Sequence, residues 1–115
     1  MLADESELPP DLAFDRQWAL TVLARALHAL RLECDAEGRG EFFDAIKPWL
    51  TGEAAHGDQA ELATRFGLNA NSMKVAVHRL KRRFRAALKD EVAGTLEDPA
   101  AVEAEMAVLF EALRP

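Results

Sequence analysis

Apolar side chains recur at steps of three and four residues through most of this chain, a spacing that predicts helices. The first such stripe comprises Leu20, Leu23, Leu27, Leu30 and Cys34, widened by Trp18, Val22 and Ala26. It predicts a helix over about residues 15–33 that ends before Gly38 and Gly40. Residues 1–13 are acidic, contain two adjacent prolines and show no period, so we expect a linker or a disordered tail there.

A second helix is predicted from the apolar side formed by Phe42, Phe43, Ile46, Trp49 and Leu50. Pro48 lies inside this segment, so the helix is expected to bend or end near Lys47. The four aromatic residues of the first two helices are expected to anchor the core or the helix interfaces: Trp18, Phe42, Phe43 and Trp49.

Two capping patterns predict the next two helices. Asp58 stands three residues before Glu61, a capping box that opens a short third helix with Leu62, Ala63 and Phe66 on its inner side. Gly67 is expected to end that helix in a left-handed conformation. Asn69 then caps a fourth helix that runs from Ala70 to about Val92.

A last helix is predicted to begin at Asp98-Pro99, as a cap followed by a proline in the first turn. Its expected buried stripe is Val102, Met106, Leu109, Phe110 and Leu113. The predicted fold is therefore all-α, with about five helices in one domain over residues 14–115, without a β wing, and with an extra acidic helix over residues 97–114.

Composition narrows the class of protein. The 115 residues suit one compact domain, and no apolar run approaches the ~20 residues that a membrane helix needs. The N-terminus does not resemble a signal peptide, and the single cysteine excludes an internal disulfide. No catalytic or phosphate-loop motif occurs, and the histidines lack metal-ligand spacing. We expect a soluble cytoplasmic protein that is not an enzyme, with no cofactor, metal or small-molecule substrate and no membrane contact.

Charge is distributed unevenly. Residues 1–57 carry eleven acids and five bases, residues 58–89 two acids and eight bases, and residues 90–115 seven acids and one base. The net charge of −6 is therefore the sum of −6, +6 and −6, and the middle of an acidic chain is strongly basic. The acidic last helix is expected to complete the core; the alternative is that it lies near the basic helix and weakens its binding.

The basic segment has the layout of a helix-turn-helix: a short capped helix, a turn at Gly67, and a longer helix. Met73, Val77, Leu80, Phe84 and Leu88 share one side of the longer helix and are predicted to be buried. Seven Lys or Arg and no acid lie between Met73 and Lys89. An ordinary solvated face mixes both signs, so this pattern favours DNA binding; RNA or an acidic protein are the alternative partners.

This segment resembles the C-terminal, region-four domain of bacterial RNA polymerase sigma factors, most closely the extracytoplasmic-function type of the sigma-70 family. The resemblance rests on Glu61-Leu62-Ala63, on Phe66-Gly67-Leu68-Asn69, and on residues 73–84 (MKVAVHRLKRRF). Residues 15–23 and 46–52 and the acidic tail also look like one sigma-like subgroup. Asn69, Asn71 and Met73 stand where the family usually has serine, glycine and valine.

The resemblance implies binding of double-stranded promoter DNA at the −35 element and contact with the RNA polymerase core, chiefly at the flap of the β subunit, and possible capture by an anti-sigma factor. Carried over, the residues facing the major groove are Lys74, Val75, His78 and Arg79. Those near the backbone at the helix start are Asn69, Asn71 and Ser72. Arg82 and Arg83 correspond to phosphate contacts, and Lys81 and Arg85 extend the same basic face.

The chain shows no match to the promoter-melting domain that precedes region four in a complete sigma factor. It is therefore expected to be an excised domain or a stand-alone relative. Two other functions stay open: a dimeric helix-turn-helix regulator, whose dimer face would be the first apolar seam or the last helix, and a module that binds polymerase or an anti-sigma factor without DNA.

Overall fold

The computed structural model describes residues 10–52 and 59–114, with side chains from residue 14 onward. Every regular element in these two ranges is helical: α1 (Pro10–Ala36), α2 (Gly40–Thr51), α3 (Gln59–Arg65), α4 (Ala70–Ala93), a 3-10 helix (Pro99–Ala101) and α5 (Val102–Ala112). The all-α prediction with five helices is confirmed. Residues 10–13 belong to α1 instead of a linker, and residues 1–9 lie outside the described ranges.

The buried stripe of α1 is displaced from the predicted one. Leu20 is 37% exposed, and Leu23 and Leu27 are half-buried. The buried residues are Ala19, Val22, Ala26, Leu30 and Cys34, spaced by three and then four residues. The sequence of α1 therefore contains two overlapping apolar stripes. The stripe with Ala19 and Ala26 is the buried one, because short side chains let another backbone approach closely.

Pro48 does not end α2: of the predicted bend or end near Lys47, the end is wrong. The helix continues to Thr51 and stops at Gly52, which has φ +79° and donates its backbone N–H to the Pro48 carbonyl. A proline inside a helix costs about 3 kcal/mol. Ile46 and Trp49, buried on either side of Pro48 at 0% and 9% exposure, supply burial that offsets this cost.

The contacts between Cα atoms divide the chain into two compact units. The first contains α1 up to Leu27 and the chain from Ala87 onward. Its buried side chains come from three helices: Ala19, Val22, Ala26, Leu88, Val92, Val102, Met106 and Leu109. In the same unit, Lys89 Nζ of α4 lies 2.7 Å from Glu103 Oε1 of α5.

The last helix begins as predicted at its cap but with different geometry. Asp98 accepts a hydrogen bond from the Ala100 N–H at 3.0 Å, and the first turn is 3-10 before α5 becomes α-helical. The prediction that Phe110 is buried is wrong: it is 38% exposed, and Leu113 is half-buried. Phe110 follows the buried Leu109 directly, and a one-residue step turns a helix by about 100° away from the buried side.

The second unit, His28–Ala86, contains the predicted binding segment. Its buried side chains are Leu30, Cys34, Phe42, Phe43, Ile46, Trp49, Ala63, Met73, Val77, Leu80 and Phe84. Arg31 of α1 donates to both carboxylate oxygens of Asp44 of α2, at 3.2 and 3.0 Å. This hydrogen-bonded pair fixes α2 against α1 and holds the pKa of Asp44 below its usual value.

Candidate nucleic-acid interface

A four-residue turn, Phe66 to Asn69, joins α3 to α4. Gly67 has φ +69°, and its N–H donates to the Thr64 carbonyl at 3.2 Å. The Leu68 N–H donates to the Ala63 carbonyl at 2.8 Å, which completes the paired bonds of a glycine-terminated helix. The predicted left-handed glycine is thus confirmed.

The start of α4 is capped as the sequence predicts. The side-chain oxygen of Asn69 accepts a hydrogen bond from the Ser72 N–H at 2.8 Å, while the Asn69 carbonyl accepts from Met73 N–H at 3.0 Å. The first bond satisfies the Ser72 N–H, which would otherwise have no partner within the helix, and the second is a backbone hydrogen bond of its first turn. The other predicted cap, Asp58, lies outside the described residues.

One side of α4 is buried and the opposite side is exposed. All five residues predicted to be buried are so, with exposures of 1% for Met73, 3% for Val77, 4% for Leu80, 7% for Phe84 and 3% for Leu88. Ala63 of α3 is also buried, at 5%. The period of the apolar residues therefore fixes which side of α4 is available to a ligand.

Most of the predicted site residues lie on that available side. The exposed ones are Asn69, Asn71, Lys74, Val75, His78, Arg79, Lys81, Arg82 and Arg85, whereas Ser72 and Arg83 are half-buried. Val75, at 40% exposure, is an apolar residue among these polar ones. In the helix, Val75 and Arg79 lie one turn apart, as do Lys74 and His78.

Four cations of this surface have no acidic partner in the part of the chain that the structure describes: Lys74, Arg79, Lys81 and Arg82. No carboxylate among the residues described lies within 4 Å of these four cations. A row of unpaired like charges on one helix raises the electrostatic free energy of the free protein, and a polyanion that binds there relieves it.

Arg83 differs from the other cations of α4. Its guanidinium donates to both carboxylate oxygens of Glu37, at 3.0 and 2.8 Å, and approaches Glu33 at 3.5 Å. This bidentate pair lowers the pKa of Glu37 and raises that of Arg83. Arg83 therefore ties α4 to the end of α1, and its fork is already occupied by carboxylates.

An aromatic contact supports the turn. The rings of Phe42 in α2 and Phe66 in the turn meet edge to face, with centroids 5.1 Å apart and an interplanar angle of 85°. Arg39 lies over the Phe42 ring at 5.7 Å, and Arg65 lies over the Phe66 ring at 5.1 Å. Two cations that the sequence analysis did not single out are thus positioned by this aromatic pair.

The exposed side of α4 borders a hollow on each flank. On one flank, a hollow of about 410 Å³ is lined by Gln59, Lys74, Val77, His78 and Lys81. On the other, a groove of about 340 Å³ has a polar rim formed by Arg39, Asn71, Ser72, Arg79 and Arg83. Both flanks carry positive charge, so α4 is a basic ridge between two basic depressions.

In residues 10–52 and 59–114, no three His, Cys, Asp or Glu side chains come together as potential metal ligands. Cys34 is buried, and burial raises the pKa of its thiol. Within the same ranges, none of the helices combines the length and the apolar character that crossing a membrane requires. Comparison with protein-family models, curated proteins and solved structures finds no match to this chain.

Proposed function

We propose that this chain binds double-stranded DNA in a sequence-specific manner, as a helix-turn-helix domain in which α3 supports α4 and α4 enters the major groove. The observation that carries the proposal is the exposed side of α4, where Lys74, Arg79 and Lys81 have no acidic partner among the described residues. A single helix of about 10–12 Å diameter fits a major groove about 12 Å wide.

The side chains along this ridge are chemically suited to contact base edges. Arg79 can donate two parallel hydrogen bonds to guanine. Val75, 40% exposed, offers an apolar surface to a thymine methyl group. A purely electrostatic surface needs no exposed valine at its centre, so Val75 favours base contact over non-specific attraction.

Polar and basic side chains at the edges of the ridge suit the phosphates. Lys81 lines one flank, and Asn71 and Ser72 line the other, so each strand of a groove would meet donors to its phosphates. Neutralising about four phosphates gives a salt slope of about −3.6, so the affinity falls about 150-fold between 50 and 200 mM salt.

The specific role that we propose is recognition of the −35 promoter element by a sigma-factor-like region-four domain in the bacterial cytoplasm. The support for it is the resemblance of residues 61–69 and 73–84 to that family, together with the capped turn between α3 and α4. The protein partner implied is the RNA polymerase core at the flap of its β subunit, and an anti-sigma factor is a further one.

The test is a selection of binding sites from random duplexes at low salt, followed by titration of the enriched duplex. The wild-type chain is expected to enrich one motif, and Arg79→Ala or Lys74→Ala to flatten the preference at one position by about 1–3 kcal/mol. Arg25→Ala is the matched control, because Arg25 is an exposed arginine of α1 in the other unit. A selection that enriches no motif would refute the proposal.

A second function, that of a dimeric helix-turn-helix regulator, is favoured by an apolar surface in the first unit. Phe14 is 71% exposed, and Val108 at 38% lines a hollow of about 630 Å³ rimmed by Asp15, Arg16 and Arg114. Because the rim carries both acidic and basic side chains, the rims of two copies can pair opposite charges across a two-fold axis. Sedimentation at micromolar concentration distinguishes the two: a stable dimer supports the regulator, and a monomer supports the sigma-like domain.

A further inference from the structure

The groove between α2 and α4 has the features of a site for one strand of a nucleic-acid backbone. We propose that it binds the phosphodiester backbone of one DNA strand and that Arg39, at the start of α2, donates to a phosphate there. This inference rests on the proposed DNA-binding function and adds a contact from outside the helix-turn-helix segment.

The main chain at Arg39 is held by backbone hydrogen bonds, and its side chain lies over an aromatic ring. Gly38, with φ +76°, ends α1 through its N–H to the Asp35 carbonyl at 3.0 Å. The Arg39 N–H then donates to the Cys34 carbonyl at 2.7 Å. The guanidinium lies 5.7 Å from the centre of the Phe42 ring. A side chain held over an aromatic ring loses less conformational entropy on binding than a free one.

The three arginines of the groove differ in whether a carboxylate already binds the guanidinium. Arg39 and Arg79 line the same groove and have no carboxylate within 4 Å among the residues described. Arg83 lines it too, but its fork is filled by Glu37 at 2.8 and 3.0 Å. Since Arg79 is assigned to a base edge, the cation of this groove that can receive a phosphate is Arg39, and Arg83 acts as a brace.

The other groups of the groove match a sugar-phosphate chain. Phe42, Leu68 and Leu80 give it an apolar floor, on which the carbon skeleton of a deoxyribose can pack. Asn71 and Ser72 add polar side chains on the α4 side, where phosphate oxygens accept hydrogen bonds. An acidic peptide is also negatively charged, but its carboxylates are not regularly spaced along the ridge of α4 as the phosphates of a DNA strand are. We therefore assign the groove to DNA.

The test compares salt slopes for binding of the selected duplex, measured by fluorescence anisotropy between 50 and 200 mM salt. Arg39→Ala should reduce the slope by about 0.9, so that the affinity ratio of wild type to variant falls about 3.5-fold across this range. The loss should be the same for matched and scrambled duplexes, because a phosphate contact carries no base information. Arg25→Ala, which removes the same charge from α1, should leave the slope unchanged.

Arg83 is tested with the double variant Arg83→Gln/Glu37→Gln, which removes the brace, keeps the net charge and does not leave the Glu37 carboxylate without its partner. We expect a lower melting temperature and an unchanged salt slope. A slope reduced as much as in Arg39→Ala would overturn the brace and give Arg83 the phosphate.

Three results would contradict the groove assignment. An unchanged slope for Arg39→Ala while wild type binds its duplex overturns the groove alone. If Arg39→Ala loses binding to a polyglutamate peptide but keeps its binding to DNA, the groove is assigned to an acidic protein. Absence of duplex binding by the unaltered chain overturns the proposed function as well. Circular dichroism melts of each variant separate these outcomes from unfolding.

Discussion

The turn between α3 and α4 depends on Gly67, and the cost of replacing it follows from the backbone. Its φ of +69° lies in the left-handed region, which costs an L-residue about 1–2 kcal/mol. An ideal Cβ at Gly67 would meet no atom within 4 Å, so no steric cost is added. Alanine also reduces the entropy of the unfolded chain, which returns about 0.4–1 kcal/mol. Gly67→Ala should therefore lower the free energy of unfolding by about 1 kcal/mol.

Urea unfolding followed by circular dichroism measures this difference. A loss of about 1 kcal/mol corresponds to a drop of about 4 °C in melting temperature for a domain of this size. Gly94→Ala is the matched control, because Gly94 is not among the glycines with positive φ and its Cβ would lie 3.6 Å from the nearest carbonyl oxygens, an ordinary contact. Gly67→Asn should lose less than Gly67→Ala, since asparagine tolerates the left-handed region.

Equal stability of Gly67→Ala and Gly94→Ala would refute the reasoning, because it would mean that residue 67 does not hold a left-handed conformation. The same variant bears on the site. The Leu68 N–H bond to the Ala63 carbonyl, 2.8 Å long, follows directly after Gly67. If Gly67→Ala keeps the left-handed conformation and this hydrogen bond, the folded variant should bind DNA with wild-type affinity. If the turn adopts another conformation, both the affinity for DNA and the free energy of unfolding should fall.

Three further predictions test the second unit. Asn69→Ala should lower the free energy of unfolding by about 1 kcal/mol, and Asn69→Ser by much less, because serine also caps the helix; urea titration checks both. Leu80→Ala, at a residue 4% exposed, should cost about 2–5 kcal/mol in the same assay, and a loss below 1 would contradict its burial. The pKa of Glu37 is lowered by the hydrogen bond from Arg83, so its stabilising effect is present above the ordinary pKa of 4.5 and is lost as pH falls below it. The difference in melting temperature between wild type and Glu37→Gln should therefore shrink from pH 6 to pH 3, and a constant difference would contradict the pair.

The sequence predicts the two sides of α4 because they depend on local period alone. Five apolar residues at helical spacing, with cations between them, leave one choice for the buried side. The caps at Asn69 and Asp98 are predicted for the same reason, since the capping side chain and its backbone donor lie within three residues. The turn at Gly67 is equally local, because a glycine after a short helix marks its left-handed end.

Contacts between distant segments are not predictable in this way. Arg83 looks like its neighbours in the sequence, but Glu37 stands 46 residues before it, and no local pattern indicates that the two meet. The sequence does not predict Arg39 as a site residue, because it belongs to the turn before α2 and only the fold brings it into the groove beside Arg79. A basic residue next to the glycine that ends a helix, followed three residues later by an aromatic one, is the signal that was present.

Pro48 shows the limit of a local rule. The lost N–H and the ring of a proline favour the end of a helix, yet α2 continues to Thr51. Trp49 and Ile46 are both buried, and ending the helix at Lys47 would remove Trp49 from the buried side. Trp49 Nε1 is buried without a hydrogen-bond partner among the described residues, so it is the burial of Ile46 and Trp49 together that offsets the cost of the proline, and tertiary packing decides the boundary.

The acidic segments affect α4 unequally along its length. Glu33 and Glu37 pair with Arg83, and Glu103 pairs with Lys89, so these neutralised cations lie in the C-terminal half of the helix. The four cations of α4 without an acidic partner among the residues described all precede Arg83, which concentrates positive charge between the start and the middle of α4. The other acids of this chain of net charge −6 repel DNA only as far as salt allows, and at physiological ionic strength charges separated by more than about 8 Å are largely screened. At 10 mM salt the screening length rises to about 30 Å, so more of these acids then repel DNA. A plot of log affinity against log salt should therefore be steep above 100 mM and flatten below it, and a straight line down to 10 mM would show that the acidic segments do not oppose binding.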